Sequence, residues 1–208
     1  MNQHNNGWDD VERTAQVVGS RERLPFLGED QFDERHFTAM EQLRVLYGYP
    51  EGMPLAPFFA TLAHSPEFFA GYIDLGVTAS IRSALPARVR ELAILRTGWL
   101  HGAPYLWGEH VQSVRDRILT GEEIERITQG AQAEGWDELD RAVLRAAEDL
   151  HEDSMICDET WDILARHLDE RQLLELPLLV GHYVMTAYLQ NSLRTRLTDN
   201  NPDGLATR

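Results

Sequence analysis

The chain has 208 residues, which is enough to bury a substantial hydrophobic core. Hydrophobic residues make up 43% and charged residues 25%, proportions that are typical of a folded globular protein and exclude disorder as the general state. The 19 Lys and Arg residues are outnumbered by 34 Asp and Glu, and the net charge of -15 disfavours nucleic acid and anionic membrane surfaces as partners.

Residues 1–32 are polar and mixed in charge, which predicts an N-terminal arm on a single domain at 33–208. The first residues lack the basic start and apolar core of a secretory signal, so we expect a cytoplasmic protein. Apolar residues at helical spacing predict a helix from Glu34 to a break at 48–52. Pro66 is predicted in the first turn of a later helix, where its missing N–H costs nothing.

The segment 85–130 is predicted to contain the centre of the fold. The helix that starts near Pro86 is apolar on most sides, so we expect it to be buried. It is predicted to end within 98–102, and Pro104 begins a second helix with an apolar stripe on one face. Residues 120–123 match a capping box, which predicts a further short helix.

The C-terminal part of the chain is also predicted to be helical. Asp137 and Asp158 are predicted N-caps of two helices. A long last helix is predicted over 170–197, with a kink or break at Pro177. Its uncharged part is interrupted by proline and glycine, so we expect a buried core helix and no membrane span. No segment alternates β-branched residues with a period of two, and the predicted fold class is therefore all-α.

The helices around 85–118 carry three side chains suited to proton transfer. His110 shares a face with Ala103 and Leu106 beside an apolar stripe, which indicates partial burial. Burial favours the neutral imidazole and a nearby carboxylate favours the cation, a balance that suits proton transfer near neutral pH. Glu91 is the nearest candidate carboxylate, and Tyr105 is the phenol of the group.

Each of these residues also has a purely structural interpretation. His110 is equally consistent with a hydrogen-bonded core histidine. Glu91 is at the right spacing to pair with Arg88 on a solvated helix surface. Tyr105 and Trp107 are large side chains of the kind that usually serve packing.

Other chemical signatures are missing from the sequence. Cys157 is the only cysteine, which excludes an intramolecular disulfide, a C-x-x-C pair and a cysteine-rich zinc site. Its acidic neighbours also predict an inert thiol. The histidines lack metal-ligand spacing, and no phosphate-binding, dinucleotide-binding or nucleophilic-serine motif occurs. We therefore expect no metal and no cofactor.

The segment 85–96, followed by Gly-Ala-Pro-Tyr-Leu-Trp-Gly-Glu-His at 102–110, resembles the carboxymuconolactone decarboxylase and alkylhydroperoxidase-D-like superfamily. The resemblance extends over about 54–130 and more weakly over 136–197. In the peroxidase branch, a Glu is followed by a C-x-x-C pair and a His. Glu91 and His110 match that spacing, whereas Ala103 and Leu106 occupy the cysteine positions.

The missing thiols imply a thiol-free member of the superfamily. Peroxide reduction by thiols needs a thiolate nucleophile and a resolving thiol, which alanine and leucine do not supply. Many thiol-free relatives carry Tyr-Glu-Trp in this stretch, where this chain has Tyr105-Leu106-Trp107. The resemblance also implies a compact helical homo-oligomer, either a dimer, a trimer or a hexamer, with pockets near subunit interfaces.

The resemblance implies a cofactor-free decarboxylase, lyase or isomerase for a small oxygenated metabolite, such as a carboxylated lactone or a β-keto acid. His110 would then be the general base or acid, Glu91 would orient it, and Tyr105 would stabilise an oxyanion. The alternative is a non-catalytic oligomeric scaffold or small-molecule binder. A Glu91 that contacts His110 in a closed pocket favours the enzyme, and a solvated Glu91 favours the scaffold. The residues expected to contact substrate are Trp107, Arg96, His182 and Tyr183.

Overall fold

The computed structural model describes residues 8–47, 52 and 55–208. The described part of the chain contains ten α-helices, two short 3-10 turns and no β-strand, which confirms the all-α prediction. The predicted break at 48–52 and residues 1–7 of the predicted arm fall mostly or wholly outside the described residues. The helices are α1 Asp10–Val18, α2 Glu34–Tyr47, α3 Pro57–Leu62, α4 Pro66–Ser80, α5 Ala87–Leu100, α6 Pro104–Val114, α7 Gly121–Gln129, α8 Glu138–Asp153, α9 Asp158–His167 and α10 Glu170–Leu193.

Local capping explains where several helices begin. The side chain of Thr120 accepts a hydrogen bond from the backbone N–H of Glu123, and the side chain of Glu123 accepts one from the backbone N–H of Thr120. The predicted capping box of α7 is therefore present. Asp137 caps α8 as predicted. Asp158 is instead the first residue of α9, and Cys157 is its N-cap without a side-chain hydrogen bond. An Asp in the first turn still favours the helix through the helix dipole.

Helix α10 passes through Pro177 without a break, so the predicted break is wrong. Leu176 and Leu179 are buried on either side of the proline, and α10 packs against α4, α5, α6 and α8. Tertiary packing therefore holds the helix together across the hydrogen bond that proline removes. No helix among the described residues is both long enough and apolar enough to cross a membrane.

Helix α5 lies at the centre of the main hydrophobic core. It packs against α6, α8 and α10, and its residues 91–100 are all buried. A second, smaller apolar cluster joins α2 to α4 through side chains such as Met40, Leu43, Phe69 and Ile73. The space between these two clusters becomes the cavity described below.

Both ends of the described chain pack against α6. Helix α1, which the sequence analysis did not predict, places Arg13 so that its Nε donates to the carbonyl of Gly102 at 3.2 Å. Near the other end, Asn201 is fully buried, and its amide lies 3.4 Å from the carbonyl of Tyr105. Asn201 packs directly over Gly108, where there is no room for a Cβ. Helix α6 is therefore fixed by residues from distant parts of the sequence.

This packing predicts opposite effects for two helical glycine substitutions. Gly108→Ala would force the new methyl group into Asn201 and lower the free energy of unfolding by about 1–3 kcal/mol. Gly71→Ala, in an exposed part of α4 with no neighbour within 4 Å, would raise it by about 0.5–1 kcal/mol. Urea denaturation of the two variants measures both values, and equal stability would contradict the packing.

Candidate active site

Glu91 on α5 and His110 on α6 form a hydrogen-bonded pair. Nδ1 of His110 lies 2.9 Å from Oε2 of Glu91. The two helices are joined by a tight turn in which Gly102 adopts a φ of +50°, a conformation that glycine adopts easily. This turn folds α6 back beside α5 so that the two side chains face each other. Glu91 is only 8% exposed, and His110 is partly buried.

The alternative pairing of Glu91 with Arg88 does not occur. Arg88 donates to Asp140 and Glu123 instead, with a distance of 2.7 Å from its Nη2 to Asp140 Oδ2. Arg90 is the guanidinium nearest to Glu91, with its Nε 3.7 Å from Glu91 Oε1. One carboxylate oxygen thus faces an imidazole and the other faces a cation.

The hydrogen bond defines how the imidazole can act. When Nδ1 carries the proton and donates it to the carboxylate, Nε2 holds the lone pair that can accept a proton from a ligand. The carboxylate also stabilises the imidazolium that results. The pair can therefore take up and return a proton without any other group.

The Glu91–His110 pair faces a cavity of about 410 Å³. This volume suits a small organic molecule. Among the residues predicted for the site, Tyr105, His182 and Tyr183 also line this cavity. The structure thus brings together all three predicted catalytic residues and two of the four predicted substrate contacts.

His182 is a buried histidine on the α10 side of the cavity. Its side chain is 5% exposed, and its ring lies 4.9 Å from that of Tyr72 and 5.2 Å from that of Tyr183. Burial, and to a smaller extent the nearby His110, lower the pKa of His182 to about 4. His182 is therefore neutral near neutral pH.

Trp107 and Arg96 do not line this cavity, contrary to the sequence-based expectation. Trp107 is fully buried, and its Nε1 donates to the carbonyl of Thr207 at 2.9 Å. Arg96 is 3% exposed and donates to Glu148 and to the carbonyl of Ile127 at the end of α7. It lies at a separate cavity of about 460 Å³. Helical periodicity indicated the burial of Trp107 but not which neighbours the two side chains would meet.

The sequence analysis missed Phe58 and Tyr72 as lining residues of the cavity. Phe58 is buried, and the centroid of its ring lies 6.4 Å from that of Tyr105. Phe58 and Tyr72 belong to α3 and α4, and no local pattern shows that these helices pack beside α6. Arg90 also lines the cavity, and its position next to Glu91 in the chain is a sequence signal that could have identified it.

Residues 66–149 match the carboxymuconolactone decarboxylase family, and this segment contains both Glu91 and His110. This part of the chain therefore carries the sequence pattern of that family. The family predicted from the sequence is confirmed. Its assignment to a thiol-free branch stays a prediction. No curated protein sequence matches the chain significantly.

Several solved structures share the fold. A peroxidase-related protein with an AhpD core from Ralstonia eutropha JMP134 is 15% identical and has a TM-score of 0.73, over 90% of this chain and 98% of that one. A peroxidase-related protein from Silicibacter sp. TM1040 is 14% identical, with a TM-score of 0.72 over 90% and 97% of the two chains. The debrominase Bmp8, in complex with 2,3,4-tribromopyrrole, is 12% identical, with a TM-score of 0.72 over 89% and 97%. At these identities the likeness shows a common fold.

The lowered pKa of His182 predicts a loss of stability in acid. Between its ordinary value of 6.5 and its folded value of about 4, the unfolded chain binds a proton that the folded chain does not. The free energy of unfolding should fall over this range by roughly 3 kcal/mol more in the wild type than in His182→Gln.

Urea denaturation at several pH values measures this effect. Above pH 6.5, the imidazole of His182 is neutral in both the folded and the unfolded wild type. The difference in free energy of unfolding between the two proteins then reports only the packing cost of the substitution. If both proteins lose stability in parallel on acidification, the neutral state of His182 is refuted.

Proposed function

We propose that this protein is a cofactor-free acid–base enzyme, a decarboxylase, lyase or isomerase, that acts on a small oxygenated metabolite. The observation that carries the proposal is the 2.9 Å contact between His110 and Glu91 at the wall of a cavity of about 410 Å³. A partly shielded imidazole held by a carboxylate is the arrangement expected of a general base. A solvated Glu91, which would have favoured a scaffold, is not what the structure contains.

The proposed roles follow from this geometry. Nε2 of His110 accepts a proton from carbon or oxygen of the substrate. Glu91 fixes the imidazole through Nδ1 and stabilises the imidazolium until the proton is returned. Tyr105 lines the same cavity, and we assign its phenol to stabilise the negative charge that develops on a substrate oxygen.

The surroundings of the pair favour this chemistry over thiol-based peroxide reduction. Leu106 lines the cavity and Ala103 is buried at the N-cap of α6, at the positions where the peroxidase branch has cysteines. Cys157 is not among the described residues that line the cavity, and its Sγ lies 3.1 Å from Oγ1 of Thr160. A thiolate nucleophile is therefore not available beside His110.

The proposal predicts that exchange of carbon-bound hydrogens depends on the pair. In deuterated water, the wild type should accelerate α-hydrogen exchange or CO2 loss in at least one of three probes: acetoacetate, a butenolide lactone and an enolisable cyclic diketone. His110→Gln should lower that rate by about 10²–10⁴-fold, since proton transfer by a positioned side chain contributes that much. Proton and carbon NMR of the probes measures the rate.

Two further variants sharpen the experiment. Glu91→Gln should lower the rate, because the imidazolium that forms during the reaction loses the carboxylate that holds it. Glu159→Gln, an exposed carboxylate on α9, should leave the rate unchanged. Rates at the uncatalysed level for all probes, or full activity in His110→Gln, would favour the non-catalytic scaffold or binder.

We also propose a homo-oligomer. Helix α10 exposes Leu178, Gly181, Met185 and Tyr188 along one face, and such an apolar stripe is typical of a subunit contact. Leu178→Glu should lower the molecular mass seen by light scattering, because it would bury a charge at the contact. Val11→Glu, at an exposed apolar position of α1, should not change it. A wild type that is monomeric would refute the proposal.

A further inference from the structure

Ring side chains form a large part of the wall of the cavity that contains the Glu91–His110 pair. Aromatic lining residues come from α3, α4, α6 and α10, so the wall depends on four separate helices. The six rings that matter here are Phe58, Tyr72, Tyr105 and Tyr183, together with the imidazoles of His110 and His182.

These rings contact one another in a continuous series. Phe58 lies 6.4 Å from Tyr105 and 5.5 Å, edge to face, from Tyr72. The ring centroid of Tyr72 lies 4.9 Å from that of His182, which in turn lies 5.2 Å from that of Tyr183. Tyr183 meets His110 edge to face at 5.1 Å.

Such a wall is selective for flat ligands. Aromatic rings have a negative face and a positive edge, so mutually tilted rings offer both kinds of surface to a planar guest. A saturated ring of the same size is thicker and lacks the complementary quadrupole. The wall therefore favours a conjugated ring over an aliphatic one.

The charges at the cavity disfavour a carboxylate ligand. Among the described lining residues, Arg90 is the only guanidinium or ammonium group, and its Nε already lies 3.7 Å from Glu91 Oε1. Its Nη1 donates to the carbonyl of Leu85 at 3.3 Å. Glu109 also lines the cavity, and His182 is neutral because it is buried. A ligand carboxylate would add a third negative charge to a lining in which Glu91 and Glu109 already outnumber the one guanidinium.

We propose that the ligand of this cavity is an uncharged, planar, conjugated ring with a weakly acidic hydroxyl group, of the phenol or cyclic-enol class. This inference rests on the proposed function and narrows its substrate class away from carboxylated compounds. The hydroxyl proton passes to Nε2 of His110, which leaves an oxyanion on the ring and an imidazolium held by Glu91. Return of the proton to a ring carbon gives the ketone tautomer, so the step needs no co-reactant.

The test is a comparison of three compounds of similar size with the full chain near neutral pH. The probes are para-cresol, its saturated counterpart methylcyclohexanol and the carboxylate para-toluate. We expect para-cresol to bind with a Kd about tenfold lower than methylcyclohexanol, because one or two edge-to-face contacts account for that ratio. We expect it to bind more tightly than para-toluate as well, because the carboxylate would lose its hydration beside Glu91 and Glu109. Calorimetry measures the affinities, and NMR should show shifts of the His110 and His182 ring signals.

Two variants locate the preference. Tyr183→Leu should remove most of the advantage of para-cresol over methylcyclohexanol. Phe68→Leu, at an exposed ring on α4 that does not line the cavity, should preserve it. The wild-type comparison is sufficient by itself if Tyr183→Leu does not fold.

Three outcomes would overturn the inference: equal affinity for para-cresol and methylcyclohexanol, tightest binding of para-toluate, or no saturable binding of any probe. The inference and the proposed function can fail separately. Para-cresol binding without catalysed hydrogen exchange in any probe would support the ring class and reject the enzyme. Catalysed exchange in acetoacetate without binding of para-cresol would support the enzyme and reject the ring class.

Discussion

Helix α5 is buried on nearly every side, and its polar side chains must therefore find partners inside the protein. Thr97 satisfies this requirement locally, through a hydrogen bond to the carbonyl of Ala93 at 2.7 Å. Arg96 satisfies it with Glu148 on α8. Glu91 satisfies it with His110 on α6, at the wall of a cavity. The structural ion pair and the candidate active site thus arise from one constraint, and they differ in whether space for a ligand lies beside them.

Features that depend on neighbours in the chain could be predicted from the sequence. The capping box at 120–123, the cap at Asp137 and the buried helix after Pro86 all follow from local hydrogen bonding or periodicity. Pro177 was misjudged because the contacts that keep α10 continuous come from other helices. Helix α1 was missed because its segment has little apolar content, although Asp9 caps it clearly.

In the candidate site, too, some residues could be predicted from the sequence and others could not. The spacing of Glu91 and His110, together with the family resemblance, pointed to the pair before any contact was known. Trp107 and Arg96 were expected at the ligand because both are near the pair in sequence, yet each side chain meets another part of the core. Phe58 and Tyr72 could not be placed at all, since they reach the cavity only when α4 packs against α10 and Phe58 meets Tyr105 on α6.

The burial of Asn201 against Gly108 has a consequence for the order of folding during synthesis. Helix α6 carries His110, but part of its packing surface is made by residues after 200, almost a hundred positions later in the chain. A contact of such long sequence separation forms only after the intervening helices are in place. On the ribosome, the helices around α5 can assemble before the residues that complete the packing surface of α6 have been synthesised. The geometry of the pair would then be the last part of the molecule to become fixed.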